Sequence, residues 1–215
     1  MKNVLLIGLG RFGLNTAKKL QELNHEVLAV DENEERINDA MPYVTDARIG
    51  DCTRTEFLRS LDVPRFDLCI VAIGDDFQSS LEVTSLLKEF GAKKVVSRAC
   101  NDVQGKFLER NGADNVVYPE RQLAYWTAIR YASDNLSDYI ELGDESGIFE
   151  VIPPASWIGK TVGQIDIRKR FNVNILAFKI NGKMSLSVSF DSPIEEGTHL
   201  LVLGSYKDVQ KCFKL

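Results

Sequence analysis

Gly8, Gly10 and Gly13 stand in the spacing G-x-G-x-x-G directly behind the apolar run Val4-Leu5-Leu6-Ile7. The chemistry such a spacing serves is anion binding. The first glycine allows a tight turn. The second lets a pyrophosphate approach the backbone, and the third lets a helix pack closely on the strand. Free N–H groups and the positive end of the helix dipole then face the phosphates. A carboxylate completes the pattern. Val27-Leu28-Ala29-Val30 ends in Asp31, roughly 20 residues past the motif, where an acid accepts hydrogen bonds from ribose hydroxyls.

These residues need a scaffold that brings loop and acid to one edge. Short apolar runs supply it, at Val4–Gly8, Val27–Asp31, Ala47–Gly50, Leu68–Ile73, Lys94–Ser97 and Asn115–Tyr118. They are nearly continuous in Val, Ile, Leu and Ala, as strands covered on both faces are. Between them the pattern turns helical: Val83, Leu86, Leu87 and Phe90 recur at helical spacing, and Gly91 suits a C-cap. The expected fold is α/β, a Rossmann-like parallel sheet followed by a small α+β domain. Its ligand edge lies at the carboxyl ends of the strands. Beside the glycine turn that edge gathers Asp31, with Glu32 and Arg36 following, then Gly50-Asp51-Cys52-Thr53. Ala72-Ile73-Gly74-Asp75-Asp76, Ser97-Arg98 and Tyr118-Pro119-Glu120 complete it. Asp51, Thr53 and Asp76 also suit helix caps, and Asp76 most of all.

Other chemistries find little support. The net charge of -5 argues against a nucleic-acid partner bound through bulk charge. Cys52, Cys69, Cys100 and Cys212 form no C-x-x-C pair, and His25 and His199 lack ligand spacing, which speaks against zinc. No run is long and apolar enough to cross a bilayer, so the expected location is cytoplasmic. A hydride-transferring enzyme needs an acid/base near the nicotinamide, but His25 precedes the second strand, away from the ligand edge, and His199 lies far into the second half.

Beyond the sixth strand, Arg121–Asp134 reads as a helix. Leu123, Tyr125, Trp126, Ile129 and Tyr131 spread over more than one face of it, which suits a helix trapped between domains or a subunit interface. After the polar connector Ser133–Asp138 the pattern changes. Strands are expected at Tyr139–Leu142 and Gly147–Ile152 around Asp144-Glu145-Ser146, and a helix over Thr161–Phe171. Asn174–Ile180 and Lys183–Val188 should pair through the type I′ signal Asn181-Gly182. A strand at His199–Leu203 and a helix at Tyr206–Phe213 follow. The expected domains are 1–134 and 135–215.

Over nearly its whole length the chain resembles the regulatory subunits of bacterial Ktr/Trk potassium transporters, KtrA-type members above all. These are built from an RCK N-terminal and an RCK C-terminal (TrkA-C) domain. The likeness rests on Gly8-Leu9-Gly10-Arg11-Phe12-Gly13, His25-Glu26-Val27-Leu28-Ala29-Val30-Asp31, Val71-Ala72-Ile73-Gly74, Gly112-Ala113-Asp114 and Pro119-Glu120. More loosely, it includes Ile165-Asp166-Ile167-Arg168 and Asn174-Ile175-Leu176-Ala177.

The resemblance implies a non-enzymatic subunit on the inner face of the membrane, bound to a membrane-embedded potassium-translocating partner (KtrB/TrkH-like). It implies dimers paired through the helix after the sixth strand and assembled into an octameric ring. ATP and ADP, or NAD(H), would bind each N-terminal domain and favour different ring shapes. The nucleotide-binding set it implies is Gly8, Gly10, Arg11, Phe12, Gly13, Asp31, Glu32, Arg36, Asp51, Cys52, Thr53, Ala72, Ile73, Gly74, Arg98 and Glu120. Within it, Arg11 would reach the γ-phosphate of a neighbouring subunit's nucleotide, and Glu120 would place Mg2+ or another cation. In some members the C-terminal domain binds cyclic di-AMP, and Ile167, Arg168, Asn174 and Pro193 fall near such a site. A small NAD(P)-dependent oxidoreductase and a stand-alone nucleotide sensor are the alternatives. The first explains only the glycine motif and Asp31, and the second differs only in its partner.

Overall fold

The computed structural model describes residues 1–143 and 145–215. Asp144, in the expected hairpin turn, lies outside the described residues. The chain divides into two compact units, Met1–Gln122 and Leu123–Leu215.

The first unit alternates strand and helix. Its strands are β1 (Asn3–Ile7), β2 (Glu26–Asp31), β3 (Asp46–Ile49), β4 (Leu68–Val71), β5 (Val95–Arg98) and β6 (Asn115–Val117). The helices between them are α1 (Arg11–Glu22), α2 (Glu34–Ala40), α3 (Thr55–Ser60), α4 (Phe77–Glu89) and α5 (Asp102–Arg110). All strand pairs are parallel, in the order β3-β2-β1-β4-β5-β6. The continuous apolar strands have a simple cause. Leu5, Ile7, Leu28, Val30, Cys69 and Val71 enter one core, while Val4, Leu6, Val27, Ala29 and Ile70 enter another. Successive side chains point to opposite faces, so a sheet buried on both sides needs apolar residues at every position. The strand order reverses between β1 and β4, and the crevice beyond their carboxyl ends is where such sheets take ligands.

Helix α6 (Pro119–Tyr131) follows β6 and crosses from the first unit into the second. The division therefore falls within this helix, whereas the composition changes after it. No residue of α6 is buried; Leu123 and Tyr131 are 62% and 72% exposed.

The second unit holds β7 (Leu136–Gly143), β8 (Ser146–Val151), α7 (Val162–Ile165), α8 (Ile167–Phe171), β9 (Asn174–Ile180), β10 (Lys183–Ser185), β11 (Thr198–Ser205) and α9 (Tyr206–Phe213). Its sheet is antiparallel, in the order β10-β9-β11-β8-β7. Phe149, Val151, Leu200 and Val202 alternate into one core with Trp157, Ile165, Val209 and Phe213. Asn181 and Gly182 both have positive φ, as a type I′ turn requires. Two expectations shift here. The helix expected over Thr161–Phe171 is two short helices, because Asp166 adopts the left-handed conformation (φ 51°) between them. The strand expected to reach Val188 stops at Ser185, where the ladder to β9 ends and a turn closed by Ser189 and Ser192 soon follows.

Candidate functional site

The glycine turn is built by contact. Gly8 has φ +92°, and a Cβ there would press on the backbone of Ala72 and Ile73 at 3.1 Å. A Cβ on Gly13 would lie 1.9 Å from the Gly8 carbonyl oxygen, so helix α1 sits directly on the turn. Gly10 differs. Its φ is -61°, and nothing lies within 4 Å of where its Cβ would be. No intrachain contact demands glycine there; the open space suits a ligand that comes close to the backbone.

The start of α1 carries the same signal. Helices α2, α4 and α5 are capped by the side chains of Asn33, Asp76 and Asn101. Helix α1 begins at Gly10 with no side-chain cap and no acid in its first turn. Its terminal N–H groups and positive dipole end are left for an anion.

Asp31 holds the turn from the other side. It is 6% exposed. Its Oδ2 accepts the Leu9 N–H at 2.7 Å and its Oδ1 accepts the Asn33 N–H at 2.9 Å. Two backbone bonds orient the carboxylate and leave lone pairs open for a diol. Arg36 stands 3.6 Å away.

A cavity of about 290 Å³ opens between these parts. Of the expected set, Gly8, Gly10, Asp31, Glu32, Arg36, Asp51, Cys52, Thr53, Ala72, Ile73, Gly74 and Arg98 line it. Arg11, Phe12, Gly13 and Glu120 do not. Arg11 is exposed on the first turn of α1, Phe12 packs toward the core behind β1, and Gly13 is buried beneath the turn. Glu120 sits on the first turn of α6, where its carboxylate accepts a hydrogen bond from Arg98. The cavity also takes Ser79 and Val83 from α4, which the strand-end pattern could not reveal. Their signal is helical: each sits within two turns of the Asp76 cap.

The electrostatics sort the acids and the thiol. Asp51 is held below the usual carboxylate range by the hydroxyl and N–H of Thr53, with Arg54 helping. Asp76 is lowered by the Ser79 hydroxyl and N–H, which confirms it as a cap. Burial, with Asp51 and Asp31 near, pushes the Cys52 thiol up to about 12; it stays a neutral wall of the cavity. No group of three His, Cys, Asp or Glu able to hold a metal occurs among the described residues.

In the second unit Ile167 is buried in the core, Arg168 is exposed on α8, and Asn174 opens β9 half-buried. Pro193 is exposed and bridges to Thr161.

The chain matches the TrkA-N domain family over residues 4–119 and the TrkA-C domain family over residues 148–215. It belongs to the TrkA-N/TrkA-C family. Ktr system potassium uptake proteins C and A of Bacillus subtilis (strain 168) are each 36% identical to it over 210 residues. That is 98% of this chain and 95% of each relative. Among solved structures, the GsuK channel bound to NAD has a TM-score of 0.69 at 19% identity. It covers 99% of this chain and 39% of its own, longer chain. GsuK bound to ADP has a TM-score of 0.51 at 19% identity, over 62% of this chain and 36% of its own. The fold of this TrkA-N/TrkA-C protein is thus a Rossmann-like sheet unit with a small antiparallel partner, as in those channels. No described helix is long and apolar enough to cross a membrane.

Proposed function

We propose that this protein is the cytoplasmic, nucleotide-sensing regulatory subunit of a Ktr/Trk-type potassium uptake system. The observation that carries the reading is the cavity at the β1/β4 switch point. There an uncapped helix start, the open face of Gly10 and the fixed carboxylate of Asp31 meet, in a chain similar over nearly its full length to potassium uptake proteins. ATP/ADP and NAD(H) share the ribose diol and pyrophosphate such a site recognises. The GsuK structures carry NAD and ADP. When bound, the nucleotide supplies charge and contacts, not chemistry, and it shifts a ring only through different affinities for two shapes. The glycine turn seats the phosphates, Asp31 takes the ribose, and Arg98 offers a guanidinium fork to an anion.

The exposed apolar residues of α6 support pairing of subunits through this helix, assigned with the first domain (1–134), and pairs would build the octameric ring under the membrane subunit. Arg11, free of the cavity wall, suits contact with a neighbour's γ-phosphate. Glu120 is a single carboxylate engaged by Arg98. It fits Mg2+ only as one ligand beside phosphate oxygens, with no cage from the described residues. In the second domain (135–215), Arg168 and Asn174 remain accessible for cyclic di-AMP, while Ile167 is core. The oxidoreductase alternative has less support: among the described residues no His, Lys or Tyr lines the cavity, and burial pushes the Cys52 thiol up to about 12.

The test is calorimetric titration of the purified protein with ATP, ADP, NADH and NAD, with its mass in solution. Tight nucleotide binding by a ring-sized particle is expected, and Gly10→Asp should abolish it by setting a carboxylate against the phosphates. Undiminished binding by Gly10→Asp would move the site elsewhere.

A further inference from the structure

We infer that Glu120 is a built-in anion that competes with the bound nucleotide for Arg98, so that this pair sets how tightly the cavity holds phosphate. The inference rests on the nucleotide-binding reading above.

Arg98 ends β5 and lines the cavity. Its side chain is 15% exposed. It lies across Gly74, where a Cβ would fall 1.7 Å from Nη1, so a glycine at the exit of β4 makes room for the guanidinium. Nη2 donates to Glu120 Oε1 at 2.5 Å. The Nε–H is buried and has no acceptor among the described residues. A guanidinium carries its donors in a rigid fork suited to two oxygens of one anion. Here one arm is taken by Glu120 and another buried donor waits.

The two partners are unequal. Glu120 is 63% exposed and can be rehydrated when released. Arg98 is shielded, and leaving it without an anion is the expensive alternative. Nε–H and Nη2 form one side of the guanidinium fork, so a ligand phosphate that takes the waiting Nε–H meets Glu120 on Nη2 and replaces it. While the pair persists, only the fraction of molecules with Arg98 free is competent, and apparent affinity falls by that fraction. Removing the competitor should tighten binding. If Glu120 instead touched the ligand directly, its removal would weaken binding. The sign decides.

The experiment is calorimetric titration of the full chain with ADP in the presence of a chelator, so that no divalent cation takes part. Glu120→Gln keeps the shape and removes the charge. It should bind ADP about fivefold more tightly than the parent, in the range of a partly exposed pair. Glu120→Asp, with a shorter reach, should fall between them. In an Arg98→Ala background, which binds ADP more weakly, adding Glu120→Gln should change affinity by less than about twofold, as a double-mutant cycle requires of a pairwise effect. Weaker or unchanged ADP binding by Glu120→Gln overturns the inference and leaves the nucleotide reading standing. Equal tightening with and without Arg98 also overturns it, since that is a general charge effect. A parent protein that binds none of the four nucleotides overturns both.

Discussion

In the central strands of the parallel sheet both faces are covered, so Leu5 and Ile7 enter one core, Val4 and Leu6 the other, and charged groups are left to the strand ends. In the antiparallel sheet apolar residues such as Phe149 and Val151 fill one core. Between them Glu150 turns to the other face and meets Lys179 at 2.7 Å and His199 at 2.8 Å. The groups at the strand ends of the first unit keep unused capacity: the α1 terminus is uncapped and the Arg98 Nε–H is orphaned. The cluster in the second unit satisfies itself across three neighbouring strands. The open groups at Gly10 and Arg98 border one cavity. Polar residues that close on one another hold a sheet together.

The sharpest way to break this contrast is Gly13→Ala. The added Cβ would lie 1.9 Å from the Gly8 carbonyl, against backbone that cannot turn away, so α1 must lift off β1. The expected cost is about 3 kcal/mol, confined to the first unit. Trp157 lies in the core of the second unit, whereas Trp126 sits on α6, which crosses between the units, so in a Trp126→Phe background tryptophan fluorescence reports the second unit alone. Amide hydrogen exchange should show the loss across β1, α1 and β4, with the tryptophan signal unmoved. Full protection in β1 and α1 would mean that the turn is looser than its geometry.

The same glycines show how much was legible in the sequence. The parallel strands and their helices could be read because the central strands, covered on both faces, must be apolar throughout and a glycine turn must precede a helix. Asp31 could be placed at the end of β2, but not its bond to the Leu9 N–H, which depends on how the turn folds back over β2. Ser79 and Val83 were hidden because a helix wall of a cavity looks like any amphipathic helix. The Arg98–Glu120 pair spans 22 residues, and nothing local announces it. In the second unit the Asn181-Gly182 hairpin was plain, since only such residues take two positive φ angles in succession. The break at Asp166 was not, because the flanking pattern is helical on both sides.

The second unit's cluster predicts a pH dependence. Burial opposes ionisation of Glu150, but the hydrogen bonds from Lys179 and His199 and their charges outweigh it, holding its pKa below the usual 4.5. A carboxylate depressed in the folded state adds stability that is complete above its ordinary pKa and lost as pH falls through the folded value. Stability in tryptophan-monitored unfolding should therefore fall below about pH 4.5. Glu150→Gln should lower stability near neutral pH by about 1.5 to 3 kcal/mol, the range for hydrogen bonds to a charged group, and should flatten the acid limb. ADP affinity should not move. An acid limb unchanged in Glu150→Gln would assign the pH dependence to other carboxylates.

The smallest effect separates a cap that only holds a helix from a helix start left open. Thr161 accepts the Gln164 N–H at 3.3 Å, and Gln164 Oε1 accepts the Thr161 N–H at 2.9 Å. This reciprocal pair satisfies the start of α7, as the absent cap of α1 does not. Thr161→Ala removes one arm and should cost about 1 kcal/mol, moving the unfolding midpoint of a unit this size by about 4–8 °C. The change should appear in tryptophan fluorescence, because Trp157 and Ile165 share one core, and nucleotide binding should be untouched. A shift in ADP affinity of Thr161→Ala would mean that the second unit's caps bear on the first unit's cavity. The division between open and closed polar groups would then fail as a guide to where ligands bind.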